Sequence, residues 1–197
     1  MIAVTGYNTT IVKELSKFLP KQETVVRLGD HKEGTCNRYL LAAGVLHNKR
    51  IVDQTDSEAQ ESMRVNALGP IRSCELILLN NPKARICIIG SKAGEAGSYD
   101  QVYAAAKAGV HNYVRNARIT GDQQIVCIAP TIIMDSGMTQ RRNEDGMKSL
   151  RRRVSEHPKE RFLRAKEVAR LVYFLLYLDE GYITNTVIEM KGGPGWW

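Results

Sequence analysis

The chain holds four cysteines in 197 residues, with neither a CxxC pair nor a cysteine–histidine spacing that would suit a metal ion. The thiols are therefore read as reduced and the protein as intracellular, with no metal site. Cys87 and Cys127 lie inside apolar strand-like runs and read as small core residues. Long hydrophobic runs are missing as well. The longest, VARLVYFLLYL at 168–178, is too short to span a bilayer and carries Arg170. The first residues show no basic n-region and no cleavage site, so a cytoplasmic protein that binds no membrane is the expectation. Internal repeats and low-complexity tracts are absent too.

What remains is ordinary for a globular chain: 43% apolar and 25% charged residues, enough for one domain over 1–197 with its own core. The formal charge of +7 suits an anionic ligand, and equally a solvated basic surface. Short apolar runs, IAVT, TVVRL, RYLLAA, ARICIIG, QIVCIAP and TVIEM, alternate with amphipathic stretches at 10–19, 57–79, 100–118 and 165–178. This predicts an α/β fold with a parallel sheet covered on both faces. Thr55 with Glu58 forms a capping box ahead of the second helix. Only residues 29–37 separate the strand patterns at 24–28 and 38–43, too few for a parallel crossover. Those two strands should therefore not be neighbours, and the chain should pass from one half of the sheet to the other.

The stretch SKAGEAGSYDQVYAAAKAGV (91–110) carries the chemistry. Tyr103 and Lys107 stand four apart and share one helix face. A lysine ammonium there would stabilise a phenolate and lower the tyrosine pKa from about 10. Ser91 follows the buried-type strand ICIIG, at the sheet end where parallel α/β folds bind ligands. In RVNALGPIRS, Pro70 has no N–H to give the Asn66 carbonyl. That is either a mild kink or a local opening beside an active site, and the company of Ser91, Tyr103 and Lys107 favours the opening. At the amino end, VTGYNTTIV (4–12) starts like a nucleotide-binding turn, but Thr10 and Val12 stand where a phosphate-wrapping backbone has glycine.

Taken in order, Thr5-Gly6, LAAG (41–44), VNALGP (65–70), GSKAG (90–94), YAAAK (103–107), IAP (128–130) and YITNTVIEMKGG (182–193) resemble the short-chain dehydrogenase/reductase family across nearly the whole chain. The resemblance implies a Rossmann-type doubly wound sheet of about six strands. It also implies an oxidoreductase that moves hydride between a nicotinamide dinucleotide and a carbonyl or alcohol. Tyr103 would be the general acid or base, and Lys107 would lower its pKa and bind the nicotinamide ribose. Ser91 would hold the substrate oxygen, and Asn66 would anchor a water in a proton relay. The implied cofactor cradle comprises Thr5, Gly6, Asn8, Thr9, Thr10 and Ile11 at the first turn, and Ala42, Ala43 and Gly44 after the third strand. Pro130, Thr131 and Ile133 complete it, the last through a backbone group.

Three departures stand out. The family turn TGxxxGxG has lost its later glycines to Thr10 and Val12, which should weaken cofactor binding without abolishing it. The segment between Asp30 and Arg38 lacks the family's third strand, which predicts the order 2-1-4-5-6-7 in family strand numbers. Pro130-Thr131 replaces the family's PG. Asp30 would favour NAD(H), whereas Arg27, His31 and Lys32 would meet a 2′-phosphate, and the balance favours NADP(H) over NAD(H).

Residues 138–166 fall in the family's substrate lid and carry Arg141, Arg142, Arg151, Arg152, Arg153, Arg161 and Arg164. They suit a small anionic carbonyl or alcohol substrate, or a solvated helix face with Glu144, Asp145, Glu156 and Glu160. No module or aromatic interleaving accompanies them, so no nucleic acid is expected. His111 and His157 read as structural or exposed, and the terminal GGPGWW as a cover for the pocket or for a partner subunit. A homodimer or homotetramer would form through helices 57–79 and 100–118. The alternative reading is a dinucleotide-sensing or scaffold protein of the same fold without turnover.

Overall fold

The computed structural model describes residues 1–30 and 35–193; His31, Lys32, Trp196, Trp197 and the side chain of Arg153 lie outside the described residues. Six strands, β1 (Ile2–Thr5), β2 (Val25–Arg27), β3 (Arg38–Leu41), β4 (Arg85–Ile89), β5 (Gln124–Pro130) and β6 (Thr186–Met190), form one sheet in the order β2-β1-β3-β4-β5-β6. Every neighbouring pair is parallel. This is the doubly wound order expected once the third family strand is deleted. As the short connection required, β2 and β3 do not pair; they flank β1 on opposite sides.

Alternation along each strand divides the core in two. Ile2, Val4, Leu40, Cys87, Ile89, Val126 and Ile128 pack with α1 (Thr10–Ser16) and α8 (Ala165–Tyr173) on one face. Ala3, Tyr39, Leu41, Ile86, Ile88, Ile125 and Cys127 pack on the other. There they meet Cys74 and Ile77 of α3 (Gly69–Asn80), and Ala106, Val110 and Val114 of α5 (Gln101–Asn116). Residues one apart face opposite layers, so both faces of these strands are apolar.

Helix α2 (Asp56–Met63) opens on the Thr55–Glu58 capping box and runs without a break into α3. Between them Arg64–Leu68 forms a π turn, closed by the Gly69 N–H on the Arg64 carbonyl. Pro70 explains its place: without a donor at 70, the ladder re-spaces by one residue instead of kinking. A second π turn, Phe174–Leu178, ends α8. Its carbonyls are gathered by arginines from the sheet: Arg38 Nε donates to Leu176 O at 2.9 Å and Arg85 Nη2 to Leu175 O at 2.9 Å. Arg85 Nη2 also reaches the Asp179 carbonyl, and its Nε donates to Gln124 Oε1.

The β1–α1 turn presses on the start of the next crossover. Gly6 has φ +66°, and a Cβ there would lie 2.7 Å from the carbonyl carbon and oxygen of Ala42. Thr5 Oγ1 accepts the Ala43 N–H at 3.2 Å, locking the two loops together. Gly6→Ala is therefore expected to cost about 1–3 kcal/mol through the left-handed backbone and the forced separation. Urea unfolding measures this, and an unchanged stability would show that the two loops are not held together as described.

Candidate active site

The loops at the carboxyl ends of the strands surround a cleft of about 1440 Å³. Tyr103, Lys107 and Ser91 all line it. Each is set there by a separate device. Asp100 caps α5: Oδ1 accepts the Tyr103 N–H at 3.0 Å and the Gln54 side-chain amide at 2.9 Å. Its Oδ2 accepts the His47 N–H at 3.2 Å, so this 1% exposed carboxylate ties the 45–54 loop to the helix bearing the tyrosine. An aspartate three residues ahead of Tyr103 is an N-cap pattern readable from sequence, although Asp100 was not among the site residues expected.

Lys107 sits one turn further along α5, 3% exposed, with Nζ donating to Ile89 O at 2.8 Å. Nζ lies over the Tyr103 ring, 5.7 Å from its centroid. Burial pushes the Lys107 ammonium down to about 8, against an upward pull from Cys127. The expectation that lysine lowers the tyrosine pKa is not met here. Burial and, more weakly, the Asp100 carboxylate push Tyr103 up, while a hydrogen bond with the Ser91 side chain pulls it down. The ammonium turned toward Ile89 contributes no counterweight.

Ser91 Oγ accepts the Ala93 N–H at 3.2 Å, and its side chain lies near enough to Tyr103 to favour the ionised phenol, so the two hydroxyls face the same part of the cleft. Asn66 is fully buried outside the cleft lining. Its side chain holds the loop after β3: Nδ2 donates to Val45 O at 2.8 Å and to Ser62 Oγ at 3.2 Å, and Oδ1 accepts the Val45 N–H at 3.1 Å. The structure thus joins Ser91, Tyr103 and Lys107 in one cleft and places Asn66 behind it, within the π turn.

Among the described residues, every one expected to cradle a cofactor lines the cleft except Asp30. Thr10 faces the cleft, whereas Val12 turns into the core beside Leu15 and keeps α1 packed on α8. The lost glycine at 12 is filled by core, not by a clash. Arg27 lies with its guanidinium carbon 5.4 Å from the Tyr7 ring centroid, and both residues line the cleft. Ile133 pairs with Leu163, and its carbonyl accepts Thr139 Oγ1 at 2.8 Å. The segment between them, with α6 (Gly137–Gln140) and α7 (Glu144–Val154), is pinned at its base by Asp135 Oδ1 on the Ala165 N–H at 2.8 Å. Arg141 and Arg142 of this segment line the cleft, whereas Arg161 donates to both carboxylate oxygens of Glu167 through Nη1 and Nη2, each at 2.8 Å. His157 is buried against Phe162, and its Nδ1 accepts the Lys159 N–H at 3.0 Å. Among the described residues no group of three or more metal-ligating side chains is present, and no helix is long and apolar enough to cross a membrane.

Residues 21–194 match the family described as Enoyl-(Acyl carrier protein) reductase. A 3-oxoacyl-(acyl-carrier-protein) reductase FabG of Pseudomonas aeruginosa is 32% identical over 158 residues, 77% of this chain and 62% of that relative's length. An acetoacetyl-CoA reductase of Allochromatium vinosum is 28% identical over 97% of this chain and 79% of its own. A crystal structure of levodione reductase matches with a TM-score of 0.85, covering 98% of this chain and 96% of that one at 21% identity. ElxO with NADP bound matches with a TM-score of 0.78, covering 98% and 97% at 21% identity. The structural likenesses speak for the fold.

The buried lysine makes a measurable demand on stability. Below pH 8 both folded and unfolded chains carry its charge, and burial penalises the folded state. Between about 8 and the ordinary 10.5 the folded protein sheds the proton first, so this penalty is lifted as pH rises. Lys107→Met is therefore expected to be more stable than the parent at pH 7, with the gap narrowing from pH 8 toward 10.5. Chemical denaturation across that range decides it, and a variant less stable at pH 7 contradicts the assignment.

Proposed function

We propose that this chain, which belongs to the short-chain dehydrogenase/reductase family, is an NADP(H)-dependent oxidoreductase that reduces a carbonyl or oxidises the matching alcohol. The observation that carries the reading is the convergence of the Ser91 and Tyr103 hydroxyls in the cleft, with Lys107 on the next turn of the same helix. Residues that fit a nicotinamide dinucleotide run along the cleft from Arg27 past Gly6 and Ala43 to Tyr103. When bound, such a cofactor supplies or accepts the hydride.

The protein's own work is proton handling and orientation. In reduction, Ser91 Oγ and Tyr103 Oη both donate toward the substrate oxygen, and Tyr103 gives up its proton as charge develops there. A tyrosine kept neutral by burial is suited to be the acid. Lys107 is the cation on the same helix face, and its role is to hold ribose hydroxyls. The π turn at Asn66 opens the helix ladder behind this pair, at the place proposed for a relay water.

Arg27 in the cleft, with Asp30 outside it, supports NADP(H) over NAD(H). At the other end, Arg141 and Arg142 suit an anionic substrate. The relatives' names make acetoacetyl-CoA the natural probe. The exposed Leu68, Leu76 and Leu79 on the outer helices are the apolar surface that the expected dimer would cover. A cytoplasmic setting accords with the free cysteines.

Tyr103→Phe is expected to lower the turnover of acetoacetyl-CoA with NADPH by about 10²–10⁴-fold while cofactor affinity stays near that of the parent. Equal turnover in the two proteins would remove Tyr103 from the chemistry; saturable NADPH binding without turnover of any carbonyl would favour the sensing protein. Arg27→Ala should weaken NADPH by about 1.5–3 kcal/mol and NADH far less. Calorimetric titration with both cofactors measures that difference, and equal losses would oppose a 2′-phosphate contact.

A further inference from the structure

Four residues beyond Lys107 on the same face of α5 lies His111, 1% exposed and outside the chemistry described so far. Its ring is wedged between the two glycines that bracket Ser91. A Cβ on Gly90 would sit 2.6 Å from His111 Nε2, and one on Gly94 would sit 2.8 Å from its Cε1. The absence of side chains at 90 and 94 in GSKAG is what lets the imidazole reach the serine loop. Ser91 N–H lies 3.4 Å from Nε2 in hydrogen-bonding geometry, and Glu95 Oε1 lies 3.2 Å from Nδ1. Arg115 Nη2 holds the same Glu95 oxygen at 2.6 Å.

These partners fix the tautomer. An amide N–H can be met only by a lone pair, so Nε2 is the acceptor and Nδ1 carries the proton given to Glu95. We propose that His111 is a positioning residue for Ser91: its neutral imidazole grips the Ser91 amide at one end of the loop and Glu95 at the other, holding the serine hydroxyl against Tyr103. This rests on the reading of Ser91 as the group that holds the substrate oxygen. Protonation of Nε2 would set a donor against the Ser91 N–H and release the loop.

The groups facing the ring from the elements around it are Glu95 on α4 (Ala93–Ala96), Lys107 and Arg115 on α5, and the Cys127 thiol beside Gly90 on β5. Burial lowers the histidine's proton affinity against the upward pull of Glu95, with Arg115 and Lys107 adding to the lowering. His111 is thus neutral at pH 7 and charges only under acid conditions.

Two readouts test the role. In ¹⁵N-labelled wild-type protein, the Ser91 amide and the His111 ring resonances are followed from pH 7.5 to 5. They are expected to move together with one midpoint; a Ser91 amide that stays still while His111 titrates overturns the proposal. This arm needs no substrate, so it decides the role of His111 even if no carbonyl is turned over, an outcome that would count against the proposed activity alone. With acetoacetyl-CoA and NADPH, His111→Leu is expected to lower kcat about tenfold, the equivalent of one lost hydrogen bond, with NADPH affinity unchanged. His111→Gln, which offers a non-titrating acceptor near the Nε2 position, should restore kcat to within about threefold and abolish the acid limb of its pH profile. Parental kcat and an intact acid limb in His111→Leu would reduce the residue to packing.

Discussion

Strand β1 carries parallel hydrogen bonds on both edges, to β2 on one side and β3 on the other. From that pairing the rest of the molecule follows. The chain leaves β1 and returns as β2 on one side, then crosses to β3 on the other, so successive connections diverge on either side of β1. An open parallel sheet has its crevice where the strand order reverses in this way. Gly6 at the end of β1 and Ala42–Ala43 beyond β3 touch across that crevice, and the cleft runs outward from their contact. Loss of the family's third strand trims the sheet beyond β2 without disturbing this reversal.

Around the cleft the fold buries several polar groups. Asn66, Asp100, Lys107 and His111 are each nearly inaccessible, and each has a backbone partner on another element. Buried polar groups are costly unless satisfied, and once satisfied they fix geometry more tightly than apolar packing does. Asn66 holds the loop after β3, Asp100 the start of α5, and His111 the loop after β4. The loops after β3 and β4 and the start of α5 are thereby set relative to Tyr103. Lys107 is the exception in kind. Its burial opposes folding, and its retention is explained by the cleft it faces.

Much of this could be read from the residues alone. Continuous apolar strands alternating with amphipathic helices specify their own layers, and the short 29–37 connection was enough to separate β2 from β3. Tyr103 and Lys107 share a face by helical spacing. What was hidden depended on partners distant in sequence. Pro70 says which helical bond is missing, but not that the helix answers with a π turn. The Asn66 amide meets Val45, and His111 meets Ser91 and Glu95, through contacts that only the packed sheet creates. The direction of the tyrosine shift also needed the structure, because burial and the aim of Lys107 toward Ile89 outweigh sequence proximity. Val12 counts in the sequence only as a missing glycine; its side chain faces the core, a matter of helix phase that a glycine pattern does not reveal.

The account stands on the cleft holding a nicotinamide dinucleotide despite Thr10 and Val12. Titration of the purified protein with NADPH, followed by nicotinamide fluorescence, tests that most directly. Saturable binding below millimolar concentration, tighter than for NADH, is the expected result. No binding at millimolar NADPH or NADH would contradict it and leave a Rossmann-type scaffold whose catalytic geometry has nothing to act with.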